Sequence, residues 1–104
     1  MTGLEARLDA LAATGGTLSY GALCRELGLR MADLTGALER MMEEDAAAGR
    51  PLRAALCKAR LGGASGTDLP APGFFEKAAA LGFRIEDPAA FTADQRRALH
   101  EARR

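Results

Sequence analysis

The stretch "TLSYGALCRELGLRMADLTGALERMM" (Thr17–Met42) decides the fold. Ser19 can cap a helix from Tyr20 to Leu27, because its hydroxyl accepts from an amide of the first turn. Leu23 and Leu27 share one face of that helix, and Gly28 stands where a left-handed residue ends it. A second helix follows. Met31, Leu34, Leu38 and Met41 keep a 3.6-residue period, which predicts an inward stripe on a helix over 31–45. Two helices joined by a tight glycine turn outline a helix-turn-helix, and equally an ordinary corner between helices.

Upstream, Leu4, Leu8 and Leu11 recur at i, i+4 and i+7, predicting a helix over 2–14 that Gly15-Gly16 stops. Downstream, "RPLRAALCKARL" (Arg50–Leu61) reads two ways. Leu52, Ala54 and Leu56 alternate as in a strand, whereas Leu52, Ala55, Leu56 and Ala59 suit a helix. Pro51 before it and a glycine-rich run after it favour a strand over 51–58. Gly62–Gly73 is a loop by composition, with the character of either a wing or a plain connector. Pro72 then introduces a helix over 73–81 with Phe74, Phe75, Ala78 and Leu81 inward. Phe83 and Ile85 are expected as a short extended piece closing the core. Asp87-Pro88 opens one more turn, and Thr92 with Gln95 forms a capping box for a last helix over 93–103. The expectation is one α+β, mainly helical, winged-helix-like domain. Its small sheet would use residues near Leu18, Leu52–Leu56 and Phe83–Ile85.

Composition narrows the function. The 104 residues are 48% hydrophobic and 27% charged, as in a soluble globular domain with one modest core. A net charge of zero argues against indiscriminate binding to nucleic acid or anionic lipid. The cations are unevenly placed: Arg50, Arg53, Lys58 and Arg60 lie between Ala46 and Thr67 with no acid among them. Just before them stands the acidic Glu43-Glu44-Asp45. Cys24 and Cys57 are too few and too distant for a disulfide framework or a zinc finger, so two reduced thiols in a cytoplasmic protein are expected. Charges at Glu5, Arg7 and Asp9 are unlike a secretory signal, and no apolar run reaches membrane length.

Catalytic chemistry finds little support. The one histidine, His100, lies in a helical stretch, and no nucleophile has a base placed beside it. Cys57 is the most interesting thiol, because Arg53, Lys58 and Arg60 would lower the pKa of a cysteine near them. Adjacent acidic pairs diverge and do not converge as metal ligands must. No cofactor or metal is expected. Binding double-stranded DNA asks for less: a few polar side chains at the start of a recognition helix. Arg30 and Thr35 fall there, Ser19 and Tyr20 form the corner, and Arg50, Arg53, Lys58 and Arg60 could hold phosphates. The competing reading is a protein-interaction adaptor, or a homodimer, built on the same fold. Neutral charge and the acidic end of the second motif helix favour it.

"LSYGALCRELGL" (18–29) resembles the winged-helix DNA-binding domain of the alkyltransferase-like proteins. In that family a Thr-Tyr-Gly corner opens the first motif helix, and a recognition helix follows. A Pro-Cys-His-Arg strand, a glycine-rich loop and a further helix complete it. Ser19-Tyr20-Gly21 matches the corner, and "ALCKAR" (55–60) falls where the strand should be. The resemblance implies Tyr20 near a DNA phosphate and Cys57 close to the reactive-cysteine position. Leu56 stands for the proline, Lys58 for the histidine and Ala59 for the arginine, so the general base is missing and alkyl transfer is not implied.

Overall fold

The computed structural model describes residues 2–59 and 69–103. It is mainly helical, with one small sheet. Helix α1 (Thr2–Thr14) leads into β1 (Leu18–Ser19), α2 (Tyr20–Leu27) and α3 (Met31–Ala48). A 3₁₀ turn (Arg53–Leu56) runs straight into β2 (Cys57–Lys58), and α4 (Pro72–Ala80) and α5 (Pro88–Ala102) complete the order. Strands β1 and β2 pair in parallel, with Leu18 opposite Cys57 and Ser19 opposite Lys58. Among the described residues no helix is long and apolar enough to cross a membrane.

The α2–α3 unit follows from its terminal residues. Ser19 Oγ accepts from the Ala22 amide at 3.1 Å, and Gly28 ends α2 at φ 68°, a conformation that penalises any Cβ. The outer helices then bury their stripes. Leu4 and Leu8 of α1 are fully buried, each worth about 1.5–3 kcal/mol over exposure. Helix α1 packs on α5 and on the 3₁₀ turn, while α3 packs on α2, α4 and that same turn. The turn is therefore the hub of the core: Ala54, Ala55 and Leu56 are all buried.

Several expectations need correction. The strand over 51–58 shrinks to Cys57–Lys58, because Arg53–Leu56 coils into the 3₁₀ turn. A buried carboxylate holds that turn: Asp45 Oδ2 accepts from the Arg53 amide at 3.0 Å. Phe83–Ile85 forms no strand; Phe83 instead packs edge-on against Phe91, with ring centres 5.7 Å apart. The last helix begins at Pro88 and not at residue 93. Asp87 caps it, its Oδ1 accepting from the Ala89 amide at 3.0 Å, while Thr92 is buried and donates back to the Pro88 carbonyl. Gln95 does not reach Thr92 either; its Oε1 accepts from the Leu52 amide at 2.7 Å, tying α5 to the chain before the turn. Helix α3 runs on slightly beyond Asp45, to Ala48, and Gly49 stops it at φ 71°. The helix expected to open at Pro72 and run over about 73–81 does so, as Pro72–Ala80. Most of the Gly62–Gly73 loop lies outside the described residues.

Candidate functional site

Arg53 turns inward onto Asp45, while Arg50 folds back onto the same acid from the surface, its side chain 56% exposed. Asp45 is fully buried, and its carboxylate accepts from Arg50 Nε at 3.1 Å and lies 3.0 Å from Arg53 Nη2. Arg53 is only 13% exposed and also approaches Glu44 at 3.5 Å. Burial works against its charge, but the hydrogen bond and field of Asp45 outweigh that and raise its pKa. The expected contrast between an acidic helix end and a separate basic stretch is therefore a local neutralisation. Lys58 lies half-buried in β2 beside Ser19, and Arg60 lies outside the described residues.

Tyr20 is part of the frame. Its Oη accepts from the Ala71 amide at 3.0 Å, anchoring the chain just before α4 to the start of α2. Burial raises the phenol above its ordinary pKa, opposed in part by the Ala71 bond. Arg30 stands apart, its side chain 89% exposed and 3.5 Å from Asp33 Oδ2 across the first turn of α3. Thr35 is exposed one turn further along.

Cys57 is buried, and burial pushes its thiol up to about 12. The field of Arg96 pulls the other way and loses. The sequence argument for a lowered pKa fails because Arg53 spends its charge on Asp45 and desolvation dominates at Cys57. His100 is more than a surface residue: its Nδ1 lies 2.8 Å from the Ala12 carbonyl, joining α5 to the end of α1. Among the described residues no group of His, Cys, Asp and Glu converges as a metal site would.

The feature that sequence reasoning missed lies on the outer face of α3. Met31, placed in the inward stripe, is 50% exposed, whereas Leu34, Leu38 and Met41 are buried as expected. It borders an open, mainly apolar groove of about 240 Å³. Along α3 the groove takes Met31, Thr35, Leu38, Glu39 and Met42, and across it stand Tyr20, Ala54, Ala71, Gly73 and Phe74. One signal was available in the sequence. Thr35 and Glu39 fall four and eight residues after Met31, so polar side chains continue its row where a core row would stay apolar.

The structure thus brings Tyr20 and Thr35 together at one groove, ties Arg50 and Arg53 to Asp45, and leaves Arg30 on the exposed entry to α3. Comparison with known proteins returns no matching family model, no matching curated protein and no matching solved structure.

Proposed function

We propose that this chain is a non-enzymatic protein-interaction module, a winged-helix-like frame that offers the outer face of α3 to a partner. One observation carries the reading: the two arginines best placed to hold phosphates are paired with a buried aspartate, while α3 borders a mainly apolar groove that Met31 leaves partly exposed. Apolar surface concave enough to take a side chain is what a protein partner buries, and phosphate backbone gains nothing from it. The buried, protonated thiol of Cys57 supports a role without covalent chemistry. Two unpaired cysteines fit a reducing compartment, hence the cytoplasm.

The second reading is double-stranded DNA binding through the α2–α3 corner. The exposed Arg30 and Thr35 favour it, because both stand in the first turns of α3 where a recognition helix meets base edges. Fluorescence anisotropy with a labelled random-sequence duplex at low salt separates the two. The interaction reading expects no saturable binding. Binding that weakens steeply with added salt and is lost in Arg30→Ala would replace it with the DNA reading.

A further inference from the structure

We infer that the α3 groove takes a basic amphipathic peptide segment, one whose large apolar side chain is flanked by a lysine or arginine. This rests on the interaction reading and names the partner's chemistry. Size decides first. At about 240 Å³ the groove falls below the roughly 300–1,000 Å³ of cofactor and drug-sized sites, so it suits an anchoring side chain. Shape agrees, because Met31, Thr35, Leu38 and Met42 form a straight wall along α3, the geometry against which a helix lays its apolar face. Two of these wall residues are methionines, whose unbranched chains repack around different anchors.

Charge then selects the partner. Glu39 lines the groove and is exposed; among the described residues it makes no hydrogen bond or ion pair, and only its field reaches Lys77 of α4. Its neighbour one turn on, Glu43, is already bonded to Lys77 of α4. A carboxylate at an apolar rim attracts a cation on the incoming segment and repels an acid. A second copy of this chain fits less well. Two grooves meeting face to face would each bring their own Glu39, with no cation among the described lining residues to meet it.

The test begins with a displayed library of random short peptides selected on the wild-type chain. Enriched peptides are then titrated against wild type, Glu39→Lys and Met31→Asp, both substitutions being at exposed positions that leave the core intact. The expected result is enrichment of an apolar residue beside Lys or Arg. Binding should weaken about tenfold or more in Glu39→Lys, and be lost in Met31→Asp. Enriched peptides that are acidic or uncharged, or that bind Glu39→Lys as well as wild type, overturn the inference and leave the interaction reading standing. No enrichment, with a concentration-dependent dimer that Met31→Asp dissociates, replaces the peptide with a second copy. Failure to enrich any peptide from a strictly monomeric chain overturns the inference and removes the support for the interaction reading as well.

Discussion

At the scale of single residues, Asp45 decides most. Its carboxylate is fully buried and satisfies Arg50, the Arg53 guanidinium and the Arg53 amide at once. Asp45→Ala leaves Arg53, 13% exposed, with only the exposed Glu44 near it and its amide unbonded, and the expected loss is about 3–5 kcal/mol in urea unfolding. Arg50→Ala removes a pair whose cation is 56% exposed and should cost under about 1 kcal/mol. The sequence showed an acid before a row of arginines, but not that the acid is buried and the arginines fold back onto it. That outcome depends on the 3₁₀ turn, which depends in turn on Asp45. Cys57 gives a pH prediction. Its folded-state pKa of about 12 stands above the ordinary 9.0 of a thiol, so the unfolded chain ionises first. Stability is then full below pH 9 and falls as pH climbs toward 12, by at most about 1.4 kcal/mol per pH unit from this group. Tyr20, also raised, acts in the same direction above its own ordinary value of 10.0. Urea unfolding below and inside that window, with Cys57→Ala alongside, checks this; the variant should show the shallower decline.

At the scale of elements, the helices with strong punctuation were legible and the short extended pieces were not. Helix α2 occupies the span read from Ser19 and Gly28, because its cap and its stop act within one turn and need no distant partner. The 51–58 segment depended on tertiary bonds, from Asp45 on one side and Gln95 on the other, which no local pattern reveals. Helix α5 is instructive in the same way. Thr92 and Gln95 have the spacing of a capping box, yet Asp87 five residues earlier captures the amides first and Gln95 is drawn away to Leu52. Asp87→Ala should therefore fray the first turn of α5 and cost about 1 kcal/mol. Amide exchange at residues 89–91 would show it, whereas unchanged protection there would mean that packing alone holds the turn.

At the scale of the whole molecule, several described charges pair between elements, and the described large apolar residue left exposed borders the groove. Arg7 pairs with Glu26, Arg103 with Asp9, and Lys77 with Glu43, each joining different elements. These pairs, with the Asp45 cluster, neutralise five of the chain's 14 cations where they stand. Met31 is the one exposed large hydrophobic residue among those described, and it borders the groove. The sequence placed Met31 in the core row because periodicity reports the face of a helix, not whether another element covers that face. The most direct measurement is the methionine-methyl NMR spectrum of the labelled chain as a selected peptide is added. Met31 and Met42 line the groove, while their neighbour Met41 is buried elsewhere in the core. The Met31 and Met42 signals are expected to move together and saturate while Met41 stays in place. Saturable binding that leaves Met31 and Met42 unmoved would contradict it.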